Sequence, residues 1–234
     1  MYRINVMIVT VFTFLLLFMH QPALASFGSK LCQKPQYDCY KVKSGDTWNK
    51  LFDNPELKNL VMKINRINVR LKKGMIIAIP KDDYTIDLLS HSPLPTQINP
   101  PGKKMITVST HPTVLAWGAY DADGNLQNWG PVGGGKKWCP DVNRRCRTVP
   151  GKFTIYNKQG SGCASSKYPL PRGGAPMPYC MFFYKGYALH GSHDVPGYNA
   201  SHGCVRLFVS DAKWLNKEFT AGEKRVSVIV KTDH

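Results

Sequence analysis

After its first 25 residues the chain is written in short apolar runs broken by glycine, proline and asparagine. Between Tyr40 and Lys81 the apolar period changes from one segment to the next. Tyr40, Val42 and Ser44 alternate with their neighbours, the two-residue period of a strand. Trp48, Leu51 and Phe52 then recur at helical spacing, with Asp46 placed to cap that helix. A second helix is predicted from Pro55, because proline is tolerated in a first turn, and it would bury Leu57, Leu60, Val61 and Ile64. Lys73-Gly74 turns the chain into a closing strand, Met75 to Pro80. This strand–helix–helix–strand unit has little core of its own and would gain from a nearby disulfide.

Residues 82–104 contain Pro93, Pro95, Pro100 and Pro101 and few large apolar residues. That composition predicts an extended, semi-rigid linker, holding two modules at a set range while leaving their angle loose. From residue 105 to 232 the pattern is mainly that of strands. Met105–Ser109 and Thr113–Tyr120 are β-rich, and Asp121-Ala122-Asp123-Gly124-Asn125 turns the chain into Leu126–Trp129. Pro131–Gly135 reads as a Gly-rich loop, with no Gly-Lys-Ser/Thr after it to suggest phosphate binding. Met177–Phe183 and Tyr187–Leu189 look like paired strands, and Val226–Val230 closes the domain. One clear helix is predicted near Val209, with Ser210 as its N-cap and Val209 stapled to Trp214. The fold class is therefore a mainly β domain, sandwich or barrel with a helix, preceded by a small α+β (βααβ) unit at 40–81.

The leader changes the picture first. Met1-Tyr2-Arg3, the apolar run Val6–Met19 and Ala23-Leu24-Ala25 form a basic start, a short apolar core and an Ala-x-Ala end, a secretory signal peptide over residues 1–25. The run is short for a membrane span, which needs about 20 apolar residues. The formal charge of +16 contains only Arg3 from this leader, so +15 remains without it. Such a charge favours anionic partners. In an exported protein those are wall carboxylates, wall polymers or headgroups. Nucleic acid is not expected as a partner.

The chain has seven cysteines. In an oxidising compartment that allows three bridges and one leftover thiol. Pairing by proximity joins Cys32 with Cys39, Cys139 with Cys146 and Cys163 with Cys180, leaving Cys204, although sequence alone does not fix connectivity. Cys204 lies in Ser201-His202-Gly203-Cys204-Val205-Arg206-Leu207, fourteen residues after His190 in Tyr187-Ala188-Leu189-His190-Gly191. A thiol with an imidazole base and N–H donors nearby is the equipment of nucleophilic acyl transfer. A neighbouring imidazole can lower a thiol pKa from its usual ~8.5. Gly203 lets the backbone approach a substrate carbonyl closely. Two other readings compete: Cys204 as half of a structural disulfide, and a zinc site from His190, His193, His202 and Cys204.

Ser-His-Gly-Cys-hydrophobic-Arg preceded by hydrophobic-His-Gly resembles the signature of the L,D-transpeptidases, whose catalytic domain is of the YkuD type. Thr148-Val149-Pro150-Gly151-Lys152-Phe153 resembles a second element of that family. The resemblance implies Cys204 as nucleophile, His190 as general base, and an oxyanion hole in the backbone of His202, Gly203 and Cys204. It implies Arg206, Ser201 and Gly191 beside the substrate, where Tyr179 could also line a cleft. The family gap between the two motif halves is often longer, so the loop Ser192–Ala200 is expected to be tighter here. The 40–81 unit resembles a LysM domain, a module for N-acetylglucosamine-containing glycans, which implies a glycan groove at Gly45, Asp46, Thr47 and Asn65–Asn68. Together these imply an exported, cofactor- and metal-free enzyme of the periplasm, cell wall or surface. Its partners would be peptidoglycan strands and stem peptides, with an acceptor lipoprotein as one further candidate. An L,D-carboxypeptidase and an inactive wall-binding or host-interaction protein are the alternatives.

Overall fold

The computed structural model of the protein describes residues 26–81 and 87–232; the signal peptide expected at residues 1–25 lies outside them. The N-terminal unit runs α1 (Phe27–Leu31), β1 (Tyr37–Lys41), α2 (Trp48–Leu51), α3 (Pro55–Ile64) and β2 (Ile76–Pro80). β1 and β2 pair antiparallel, and Phe52, Val61, Leu71 and Ile77 fill the space beneath them. A Cys32–Cys39 bridge ties the end of α1 to β1. β1 starts at Tyr37 rather than Tyr40. The first cap also differs from expectation: Thr47 Oγ1 accepts the Lys50 N–H at 3.2 Å. Asp46 instead accepts the Lys43 N–H at 2.7 Å and the Tyr40 hydroxyl at 2.9 Å, shaping the turn ahead of the helix. Pro55 does open α3, behind an Asn54 cap.

The C-terminal domain runs β3 (Met105–Ser109), β4 (Ala116–Tyr120), β5 (Leu126–Pro131), β6 (Gly151–Thr154), β7 (Asn157–Lys158), β8 (Met181–Tyr184), β9 (Tyr187–Gly191), β10 (Val205–Leu207), α4 (Val209–Trp214) and β11 (Ser227–Lys231). Five strands form a sheet in the order β5-β4-β3-β11-β6, and four form another in the order β10-β9-β8-β7. One core lies between the sheets. Ile106, Trp117 and Val228 come from the first, Leu189, Val205 and Leu207 from the second, and Ala212 and Leu215 from α4 and the turn after it. Each fully buried aliphatic side chain of this kind contributes about 1.5–3 kcal/mol. The β4–β5 turn forms as its sequence suggests, with the Asp121 carboxylate accepting the N–H groups of Asp123 and Asn125 at 3.0 and 2.8 Å. α4 begins at Val209 behind Phe208, so Ser210 sits inside the first turn and is not its cap.

The two units are docked, which overturns the loose angle expected of a spacer. Lys63, on α3, is only 2% exposed; its Nζ meets Asp211 Oδ1 of α4 at 2.8 Å and donates to the Trp129 carbonyl at 3.0 Å. Arg66 donates to the Val114 carbonyl at 3.1 Å and lies 4.8 Å from the Trp129 ring centre. The linker takes part as well. Leu88, Leu89, Leu94 and Ile98 pack on Tyr120, Leu126 and Trp129, and Trp129 Nε1 donates to the Leu88 carbonyl at 2.6 Å. A run sparse in apolar residues still lies down when its few leucines meet an exposed apolar sheet face. No helix among the described residues is long and apolar enough to cross a membrane.

Candidate active site

β9 and β10 deliver the two motif halves side by side. They pair in parallel, with Leu189 opposite Val205 and His190 opposite Arg206. Strand alternation sends Leu189, Val205 and Leu207 into the core between the sheets. Ala188, His190 and Arg206 therefore share the other face, where Cys204 packs with Ala188 beside the Cys163–Cys180 bridge. Cys139–Cys146 is the third bridge, and Cys204 is the free cysteine among the described residues.

His190 is buried, and its Nδ1 lies 2.9 Å from the Gly191 carbonyl. An acceptor there requires the proton on Nδ1, which leaves the Nε2 lone pair free to take another. Gly191 is held in turn by its N–H to the Pro178 carbonyl at 2.8 Å. A Cβ on Gly191 would come within 3.0 Å of Val209 Cα, which explains glycine after the histidine. Burial, with help from Arg206, pulls the imidazole down to about 4, so it is neutral at physiological pH. Burial likewise pushes the Cys204 thiol up, against the Ala188 N–H and the Arg206 charge, which favour the thiolate. The resting pair is neutral thiol and neutral imidazole. That corrects the expectation of a lowered thiol pKa: Sγ donates weakly to the Gly186 carbonyl at 3.7 Å and makes no hydrogen bond to His190.

This depressed imidazole makes stability pH-dependent. The unfolded state takes up a proton near pH 6.5 and the folded state only near 4, so His190 stabilises fully above about 6.5 and loses that contribution as pH falls toward 4. The swing is on the order of 3 kcal/mol. Urea midpoints at pH 7 and pH 4 should therefore fall further in the wild type than in His190→Gln; equal drops would contradict the assignment.

The remaining motif residues divide by role. Ser201 is buried and works inside its own loop, its Oγ donating to the Cys204 carbonyl at 2.6 Å and accepting the Gly203 N–H at 3.0 Å. It is thus a staple and not a substrate contact. The same bond engages the Gly203 N–H, so that group is not a free oxyanion donor. Gly203 has φ +130°, and a Cβ there would meet the Tyr187 ring at 2.3 Å. The glycine is demanded by its own fold before any substrate arrives. The His202 side chain turns away, with Nε2 2.7 Å from Asp141 Oδ2 and its ring stacked on Tyr168 at 4.3 Å. That pairing holds the Asp141 carboxyl below its usual range. Arg206 is bound to Asp194 at 2.6 Å. Tyr179 is half-buried against the inter-sheet core, with φ +58°. The four zinc candidates do not converge. Among the described residues the group close enough to share a metal is Cys139, Asp141 and His202, and the Cys139 sulfur is bridged.

In the N-terminal unit, Gly45 and Thr47 are exposed and Asp46 is half-buried on one loop. Asn65, expected in the groove with them, is 3% exposed; its amide donates to the Val61 and Ala78 carbonyls, and its oxygen accepts the Ala78 N–H. It holds α3 to β2. Asn68 faces the C-terminal domain, where its side chain donates to the Ser192 carbonyl at 2.7 Å and accepts the Val195 N–H at 2.8 Å. The loop after His190-Gly191 is thus held between Asn68 and the Arg206–Asp194 pair. The sequence reading missed this, and it named Thr148 in a family element without its role: the hydroxyl accepts the Gly135 N–H and donates to the Gly203 carbonyl, both at 2.9 Å. Gly133 and Gly135 bridge to Arg206 and Ser201, so the Gly-rich loop is the edge support of the cysteine motif.

Comparison with known proteins agrees with this architecture. An L,D-transpeptidase (residues 123–326) from Xylanimonas cellulosilytica is 18% identical, with 85% of this chain and 98% of that chain covered and a TM-score of 0.54. An L,D-transpeptidase from Stackebrandtia nassauensis is 21% identical over 62% of this chain and 63% of that one, with a TM-score of 0.46. One from Mycobacterium tuberculosis is 17% identical over 69% and 74%, with a TM-score of 0.43. The likeness to the first of these, at 18% identity, is one of fold. No curated protein matches. The family model of the YkuD L,D-transpeptidase catalytic domain matches residues 103–230, a span that contains both sheets and both halves of the cysteine motif. Over that span, more than half its length, the chain belongs to the YkuD family of L,D-transpeptidase catalytic domains.

Proposed function

We propose that the protein is an exported cysteine L,D-transpeptidase acting on peptidoglycan stem peptides, with Cys204 as nucleophile and His190 as its base. The observation that carries the reading is the placement of an unbridged thiol and a buried, tautomer-fixed imidazole on one face of two paired strands. Three disulfides fit an exported protein.

The neutral resting pair calls for deprotonation coupled to attack. His190 Nε2 takes the thiol proton as Sγ bonds to the carbonyl carbon of the stem's L-centre. The tetrahedral oxyanion collapses, the C–N bond breaks, and the imidazolium gives its proton to the departing D-residue amine. The product is a thioester on Cys204. An acceptor amine then attacks it, restores the thiol and leaves a new amide. With the Gly203 N–H engaged, the flanking amides of His202 and Cys204 are the candidate oxyanion donors, each typically worth ~3–4 kcal/mol. Arg206 positions the loop through Asp194. Gly45, Asp46 and Thr47, on the exposed loop of a LysM-like unit, would hold glycan and raise the local concentration of stems.

Incubation with a disaccharide-tetrapeptide tests the reading by its products. Release of the terminal D-residue together with a cross-linked dimer is expected. Release without dimer identifies a carboxypeptidase on the same residues. Glycan binding with neither product leaves only the wall-binding alternative.

A further inference from the structure

A cavity of about 840 Å³ lies where the two units meet, and neither Cys204 nor His190 lines it. The N-terminal unit supplies Phe27 and Lys30; the C-terminal domain supplies Lys137, Arg147, Thr148 and Tyr198. Its charge is one-sided. Lys30, Lys137 and Arg147 are exposed on its rim, and among the described residues none of them is ion-paired and no aspartate or glutamate lines it. Tyr198 is 63% exposed and Phe27 half-buried, so the same walls offer aromatic surface. The cavity is rigidly built. Asn199 joins two of its walls by donating to the Thr110 carbonyl at 2.8 Å and accepting the Gly134 N–H at 2.9 Å.

The geometry points to this cleft as a binding site for a carboxylate-bearing stem peptide, distinct from the stem that acylates Cys204. Three uncompensated cations around a partly apolar cavity are complementary to a short peptide with several carboxylates and small apolar side chains. The volume lies within the ~300–1,000 Å³ of small-ligand sites. The wall is also coupled to the nucleophile loop. Thr148 lines the cleft and holds the Gly203 carbonyl, one residue from Cys204. A second strand of the wall would thereby be held against the unit that carries out the transfer. The choice of a stem peptide over other polyanions rests on the function proposed above; the anion site itself does not.

The test uses the full chain carrying Cys204→Ala, in which turnover is blocked, titrated calorimetrically with the free stem tetrapeptide. Two binding events are expected, one at the acylation site and one in the cleft, and Lys30→Gln, Lys137→Gln and Arg147→Gln combined should weaken the cleft event at least tenfold and flatten its salt dependence. The thermal midpoint should stay put, since all three side chains are exposed. Amidating the peptide carboxylates should produce the same loss. A cleft event within twofold of the parent affinity in the triple variant, or a single binding event that the triple variant keeps, overturns the site, whatever acyl transfer does. A poly(glycerol phosphate) chain that binds more tightly than the peptide overturns the choice of carboxylate. Loss of acyl transfer by the wild type with tetrapeptide binding intact counts against the proposed function and leaves the cleft standing.

Discussion

Cys204→Ala is expected to reduce release of the terminal D-residue by at least about a thousandfold in kcat, with the fold unchanged. Removing a covalent nucleophile removes the route itself, and losses of that size or larger are usual for such residues. The structural cost should be small. The sulfur is half-buried, makes a long hydrogen bond to the Gly186 carbonyl, packs by Ala188, and bridges nothing. A thermal midpoint within a few degrees of wild type is therefore expected. The bridged cysteines behave in the opposite way. Removing Cys163 and Cys180 together takes out a cross-link that typically contributes about 2–4 kcal/mol. Residual turnover in Cys204→Ala near the wild-type rate would mean that the thiol is a bystander.

Lys63→Met should destabilise the protein by about 3–5 kcal/mol, because it strands a buried carboxylate. Asp211 keeps only the Trp117 indole N–H at 3.3 Å once the ammonium is gone. At about 2–4 °C per kcal/mol for a chain of this size, the thermal midpoint falls by roughly 6–20 °C. Burial already pushes the Asp211 carboxyl up, with Lys63 opposing it. Without Lys63 the folded carboxyl binds its proton more tightly than the unfolded one. The deficit should then shrink as pH falls below the raised folded pKa and be largest at neutral pH. Adding Asp211→Leu should restore much of the loss at pH 7, since an apolar pair of similar volume needs no partner. A single variant as stable as wild type at pH 7 would show that the α3–α4 docking is not built on this pair. The same docking holds Asn68 against Ser192 and Val195, so a drop in kcat should accompany the loss of stability.

Much of the local structure was legible because local chemistry decides it. Pro55 starts a helix, Asp121-x-x-Gly124 turns a hairpin, and Met105–Ser109 is a strand, each for reasons contained within a few residues. Pairing neighbouring cysteines by proximity gives the three bridges that form and leaves Cys204 free, although the spacing alone did not fix that connectivity. The partnership of two units was not legible. Lys63 and Arg66 look like solvated helix charges, and no periodicity reveals that a second face of α3 is covered by Trp129 and Asp211. Asn65 is a polar residue whose partners lie thirteen residues away on β2, a contact that spacing does not announce. Gly203 was read as room for a substrate, whereas the occupant of that room is the Tyr187 ring. The first cap moved by one residue because Asp46 is engaged by the Lys43 N–H and the Tyr40 hydroxyl, which leaves the Lys50 N–H to Thr47, while α4 starts behind Phe208 with no capping side chain.

The central claim is that one sulfur of seven is free, lies beside a proton acceptor and becomes acylated. Mass spectrometry of the purified chain after exposure to a carbapenem, an acylating probe suited to a cysteine transpeptidase of this family, tests it directly. The account predicts one adduct per chain, mapped to the peptide containing Cys204 and absent from Cys204→Ala. An adduct on any other residue, or a Cys204 found in a disulfide and inert to the probe, would contradict it.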